Sequence, residues 1–145
     1  IGKIIDEDGK ELGEHKGLQY YTLGQRQGIG IGGLKGSNND PWYVASKNNK
    51  TNTLTVVQGN DHPLLFSNKL ITRNKFLLSD DIGKEFKGTA KVRYRQADQE
   101  CDIKIDKNKI IVKFAEPQRA VTPGQSVVIY NENECLGGGE IESLN

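Results

Sequence analysis

Three short segments concentrate side chains that can hold a polar partner. In KVRYRQ (91–96), an expected strand sets Lys91, Arg93 and Arg95 on one face and Tyr94 on the other. A guanidinium's planar fork matches phosphate oxygens and can also stack on a base. Tyr94 offers a stacking surface for an unpaired base, yet it falls in register with Ala90 and Val92, as a core tyrosine would. Gln96 and Lys91 are weaker candidates at the ends of the segment. In VTPGQS (121–126), Pro-Gly marks a turn, and Gln125 just past it can donate to and accept from a base or a 2′-hydroxyl. It can equally cap its own turn. The third segment, LQYYTLGQRQGIGIGG (18–33), joins Tyr20 and Tyr21 to Gln25, Arg26 and Gln27, with five glycines in sixteen positions. Glycine that dense beside polar groups marks a backbone in close approach to something else. His15 lies just upstream beside Glu14. That pair could do acid–base work, but an ordinary surface histidine is the simpler reading.

Other chemistries lack their residues. Gly28, Gly30 and Gly33 satisfy G-x-G-x-x-G, but a dinucleotide site needs that turn between a strand and a helix, with an acid about 20 residues on. Here LKGSNNDP follows, and the region near Lys50 has no acid. Cys101 and Cys135 form no C-x-x-C, and His15 and His62 add no ligand spacing, so no metal site is expected. Each cysteine falls in a strand-like apolar pattern and is expected to be a buried structural thiol. No Ser/His/Asp set, paired-carboxylate signature or G-x-x-x-x-G-K loop is present.

A chain of 145 residues suffices for one ordinary domain or two small ones. Mean hydropathy of −0.63 implies a modest core. No apolar run approaches the roughly 20 residues of a membrane helix, and no leader or lipidation motif is seen. The expectation is a cytoplasmic protein with no membrane partner. The chain begins at Ile1 and contains no methionine, so it is expected to be a piece of a longer protein. Net charge is +1, but residues 84–119 carry ten basic and six acidic groups, a local excess of four. That is a footprint suited to phosphate, or else a solvated strand face.

Turn residues recur every eight to twelve positions, the spacing of an all-β protein. Strands are expected at 3–5 and 11–13 about DEDG, and at 42–47 and 53–58 about NNKTN. One short helix is expected near 21–27. In the second half, Cys101, Ile103 and Ile105 alternate with charged residues, and Ile110, Val112 and Phe114 repeat at period two. Strands at 126–130 and 135–141 join at NENE, and one more runs over 69–77. About six antiparallel strands bury their edges best as a barrel. The fold class is therefore mainly β, in two small β domains: residues 1–68, and residues 69–145 forming the barrel.

Taken in order, GEHKGLQYYTLGQRQGIGIGG, PWYVASKN, AKVRYRQ, EPQRAVTPGQSVVIY and CLGGGEI span nearly the whole chain. Together they resemble the C-terminal portion of the bacterial tRNA-specific 2-thiouridylase (MnmA/TrmU) family. The resemblance implies a central β domain followed by a barrel like domain 2 of elongation factor Tu, both holding tRNA around the anticodon stem-loop. It implies a parent enzyme that converts the wobble uridine (U34) to 2-thiouridine with ATP and a persulfide from a sulfur-relay protein. ATP, magnesium and the catalytic cysteines would belong to an N-terminal PP-loop domain absent here, so no catalytic residue, cofactor or metal is expected in this chain, and it should be inactive alone. Cys101 and Cys135 fall outside the family's cysteine motifs. Arg93, Tyr94 and Gln125 become the tRNA-binding candidates, with Lys91, Arg95 and Gln96 behind them. His15, Gln25 and Arg26 would form a loop facing the active site. The family usually has an apolar residue where this chain has Glu140. The main rival reading is a protein-interaction module whose basic strand docks an acidic sulfur-relay partner. A self-contained enzyme using His15 or a cysteine is the third.

Overall fold

The structure, a computed structural model, describes residues 1–31, 40–93 and 96–144. The chain divides into two compact units, Ile1–Phe66 and Ser67–Asn145.

In the first unit, β1 (Gly2–Ile5), β2 (Glu11–His15), β3 (Trp42–Asn48) and β4 (Thr53–Gln58) form one mixed sheet in the order β2-β1-β4-β3. Asp6 closes the first hairpin, its Oδ1 accepting the Asp8 and Lys10 N–H groups at 2.9 and 2.8 Å. Asn48 does the same for the second, accepting from the Lys50 and Thr51 amides. Asn and Asp favour such turns because their short carboxyl or amide group replaces a backbone acceptor. The two hairpins join through a parallel β1–β4 pairing. Alternation sends Leu54 and Val56 to one face and Val57 to the other. Ile4, Val44, Leu54 and Val56 pack under Leu18, Ile29 and Ile31 of the glycine-rich segment. Tyr43, Val57 and Leu65 form the opposite cluster.

The glycine-rich segment differs from expectation. Its helical turn is a 3₁₀ turn at Leu18–Tyr20, and residues 21–27 are not a helix. Their backbone groups bond outward: Gly24 N–H donates to Val44 O at 2.8 Å, and Val44 N–H donates to Gln25 O at 2.9 Å. Gly24, at φ 86°, takes a left-handed conformation that ends any helix there.

The second unit contains β5 (Phe66–Thr72), β6 (Phe76–Leu77), β7 (Glu85–Lys91), β8 (Gln99–Asp106), β9 (Lys109–Arg119), β10 (Ser126–Asn131) and β11 (Glu134–Ser143). Six of these strands close into an antiparallel barrel in the order β10-β7-β8-β9-β5-β11, sealed by β10–β11, with β6 added against β11. The core holds Leu70, Ala90, Cys101, Ile103, Ile110, Val112, Phe114, Val127, Ile129 and Ile141. These are the inward positions of the period-two pattern.

Two expected strands are interrupted. The 69–77 strand is split into β5 and β6, because Arg73 N–H donates to Glu140 O and the Asn74 side chain accepts the Glu140 N–H, both at 2.9 Å. The 91–96 strand stops at Lys91. Val92 N–H turns to the Gln96 side chain at 3.0 Å and Gln96 N–H to Arg93 O at 3.2 Å, so the chain folds on itself instead of extending the ladder.

Candidate nucleic-acid interface

The barrel brings two of the three sequence segments together. Arg93 is exposed, and its Nη2 donates to Ala120 O at 3.1 Å. Ala120 sits at φ 54°, an unusual left-handed conformation for a residue with a Cβ. Its carbonyl also accepts from Thr122 Oγ1 at 2.9 Å. The TPGQ turn closes through Gln125 N–H to Thr122 O at 3.1 Å. It is fastened to β11 from both sides, Gly124 N–H to Ile141 O and Ile141 N–H to Gln125 O, each at 2.8 Å. Gln125 Oε1 is buried with no hydrogen-bond partner among the described residues. The rest of the Gln125 side chain is half-buried.

The remaining candidates are placed differently. Lys91 is not free: its Nζ lies 3.2 Å from the Asp98 carboxylate and 5.5 Å from the Tyr130 ring centroid. Gln96 is spent inside, accepting from Val92 N–H and donating to Gln118 Oε1 at 2.7 Å. Tyr94 and Arg95 lie outside the described residues, as does Gly33. The expected common face of Lys91, Arg93 and Arg95 loses its basis once the strand ends at Lys91.

In the first unit, His15, Gln25 and Arg26 do not form a reactive set. His15 is only 1% exposed, which corrects the surface-histidine reading. Its Nδ1 accepts the Gly17 N–H at 3.1 Å, leaving Nε2–H to donate to Asn52 O at 2.9 Å. Both ring nitrogens are thus satisfied by backbone, with Tyr21 edge-on at 6.0 Å. Pairing of β1 and β2 turns the ring inward and leaves Glu14 exposed. Gln25 caps its own turn, accepting from Thr22 N–H and donating to Gln27 O. Arg26 is exposed.

The cysteines part company. Cys101 is buried, and burial, with the Asp102 carboxylate adding to it, pushes its thiol up to about 12. Cys135 is exposed, against expectation. The register explains it: Ile129 pairs with Gly137 but Tyr130 with Cys135, so Leu136 is an extra residue that reverses the alternation. Leu136 turns inward and Cys135 outward.

Sequence reasoning missed Gln99 and Gln118. Gln118 is buried on β9, donating to Gln99 Oε1 at 3.2 Å and to Glu116 O at 2.9 Å. It shares the parity of Ile110, Val112 and Phe114, but the intervening Glu116 is exposed, so the series gave no signal for it.

Among the described residues, no three His, Cys, Asp or Glu side chains could jointly hold a metal ion. No helix among them is long and apolar enough to cross a membrane. In the glycine run, Gly28 and Gly30 are left-handed and Ile29 and Ile31 are buried in the core, which uses this stretch for packing; residues 32–39, where a nucleotide motif would continue, lie outside the described residues.

A small β-barrel with a polar loop-and-turn end is the class that this geometry defines. Residues 67–141 match the aminomethyltransferase β-barrel domain, and residues 1–58 match the tRNA methyl transferase PRC-barrel domain. The chain is 51% identical over 143 residues to the tRNA-specific 2-thiouridylase MnmA of Pseudomonas entomophila (strain L48), an overlap of 98% of this chain and 38% of that relative. It is 51% identical over 150 residues to that of Acinetobacter baumannii (strain SDF), 99% of this chain and 40% of the relative. With that of Stutzerimonas stutzeri (strain A1501) it shares 52% over 142 residues, 97% and 38% of the two chains. The chain belongs to the MnmA family of tRNA 2-thiouridylases and carries that family's PRC-barrel and β-barrel domains. It spans about two-fifths of the length of these curated relatives.

Proposed function

We propose that this chain holds tRNA for a 2-thiouridylase whose chemistry is done elsewhere in the protein. The observation that carries the reading is the Arg93–Ala120 hydrogen bond, which ties Arg93 to the residue two places ahead of the TPGQ turn. One Arg93 N–H is used to fix the side chain, and the other donors of the fork can reach phosphate oxygens. Gln125, half-buried just past the turn, would offer its amide N–H groups to a base carbonyl or to a 2′-hydroxyl, the group by which a protein tells RNA from DNA. The two segments together would orient an RNA strand without reacting with it. Tyr94 is proposed as its stacking partner from sequence alone.

ATP activation and sulfur relay are assigned to parts of the protein outside this chain, where ATP and magnesium would bind and a sulfur-relay protein would dock. The residues here do not fit that chemistry. A thiol pushed up to about 12 inside a barrel is a poor nucleophile, and Cys135 has no C-x-x-C partner in the sequence. The His15, Gln25 and Arg26 loop is proposed to line the approach to the substrate, with Arg26 as its exposed cation and His15 as its internal brace.

Titrating fluorescent tRNA into the wild type, Arg93→Ala, Tyr94→Ala and Gln125→Ala at several salt concentrations tests this reading. Wild-type affinity should fall steeply with salt. Arg93→Ala should weaken binding and flatten the slope by up to about one unit, the share of a single phosphate. Tyr94→Ala should cost about 1–3 kcal/mol with little change of slope. Gln125→Ala should cost about 0.5–1.5 kcal/mol. If all three bind as wild type does, this end of the barrel is not the tRNA site. Displacement by polyglutamate rather than by competing tRNA would then favour docking of an acidic protein.

A further inference from the structure

We propose that Gln118 is a positioning residue that sets the Val92–Arg93 bend and Gln96 for RNA binding. The proposal rests on the tRNA reading of Arg93 given above. Gln118 is 6% exposed on a strand whose other buried positions, Ile110, Val112 and Phe114, are apolar. An apolar residue there would fill the same space, so the amide needs a reason.

Its hydrogen bonds supply one. Gln118 Oε1 accepts from Gln96 Nε2 at 2.7 Å, and Gln96 Oε1 accepts from Val92 N–H at 3.0 Å. On its other side, Gln118 Nε2 donates to Gln99 Oε1 at 3.2 Å, and Gln99 Nε2 donates to Ala97 O at 3.0 Å. The Val92 N–H can only donate, and the Ala97 and Glu116 carbonyls can only accept. Every amide in the relay therefore has one consistent orientation. A single buried side chain on β9 is thus tied to Val92, just past β7, through Gln96, and to Ala97, just ahead of β8, through Gln99.

Arg93 sits inside this clamp. Its carbonyl accepts from Gln96 N–H at 3.2 Å, and its guanidinium reaches Ala120, two residues beyond Gln118. The relay and the Arg93–Ala120 bond therefore hold the backbone and the side chain of one cation against the same stretch of chain. A cation whose backbone and side chain are already held loses less freedom on binding, and that difference appears as affinity.

The test compares wild type, Arg93→Ala, Gln118→Leu and the double variant. It uses an unmodified tRNA transcript over a salt series, with amide exchange at Val92 and urea unfolding of each protein. Gln118→Leu is expected to unfold cooperatively and to exchange the Val92 amide faster. It should bind tRNA about three- to tenfold more weakly, the scale of one or two net hydrogen bonds. Its salt slope should move toward that of Arg93→Ala. The double variant should bind no worse than Arg93→Ala, since both changes act on the same phosphate interaction. Should Gln118→Leu fail to fold, Gln96→Ala cuts the same relay one link nearer solvent and is read the same way. If the relay variants lower stability but leave affinity and slope unchanged while Arg93→Ala weakens binding, the tRNA reading stands and this inference is wrong. If Arg93→Ala itself binds as wild type, the tRNA reading fails and takes this inference with it.

Discussion

The two cysteines show how far one inserted residue can change a side chain's chemistry. Both lie in apolar strands, and by parity Cys135 shares a face with Ile141. Parity fails only because Leu136 is an added residue opposite β10, and a bulge of that kind leaves no mark in composition. Cys101 behaves as its pattern says. At pH 8 a disulfide-exchange reagent should label one thiol per folded chain, and Cys135→Ser should abolish it. Two labelled thiols in the folded state would sink the assignment. The pH dependence follows from the same burial. The folded Cys101 keeps its proton to about 12, whereas an ordinary thiol loses it near 9.0. Proton retention by the folded state stabilises it below pH 9, and that share is lost as pH rises toward 12. Comparing urea midpoints of wild type and Cys101→Ala across that window should show the wild type's advantage shrinking. His15 teaches a related lesson. Its neighbours in sequence are Glu14 and Lys16, but its partners are Gly17 and Asn52. The second is reached only through a sheet pairing that local reasoning does not supply.

Elements were most legible where one face meets the core. The inward residues of β8, β9 and β10 fell where period two puts them. The ladder's end after Lys91 was not legible, because Val92 continues the apolar phase and is itself buried, at 5% exposure. What ends the strand is a side-chain amide competing for the Val92 N–H, a choice made by Gln96 and Gln118 together. The glycines of β11 carry no period-two signal, yet they have a steric reason. β11 lies against β10 along one edge and against β6 along the other. A Cβ on Gly138 would overlap the Val127 carbonyl, which is backbone and cannot swing aside. Gly138→Ala should therefore destabilise the barrel by about 1–3 kcal/mol, the usual cost of overpacking. Gly83→Ala meets nothing closer than Glu85 O at 4.0 Å and serves as the control. Equal urea midpoints for the two variants would show that β11 can shift without cost.

At the scale of the whole chain, periodicity tells which way side chains face but not which strands meet. The parallel β1–β4 pairing and the β10–β11 closure were beyond it for that reason. Two separate strand sets suggest a division near residue 68, and the packing gives a division after Phe66 an energetic basis. One apolar cluster draws only on residues from Leu70 onward, and the other two only on residues up to Phe66. Phe66 packs with Tyr43, Val57 and Leu65 even though its backbone begins β5, so the natural cut follows it. A chain of roughly eighty residues with a closed barrel is large enough to fold alone. Residues 67–145 expressed separately should unfold in one cooperative transition, read by circular dichroism and by amide exchange. Arg93, Gln96, Gln118, Ala120 and Gln125 all lie within that unit, as does the local excess of four positive charges. The separated barrel should therefore keep the part of tRNA affinity that Arg93→Ala removes, and its salt slope should fall by the same amount on that substitution. A folded barrel that binds tRNA without any Arg93 dependence, while the longer chain shows one, would mean that residues 1–66 help to build the site.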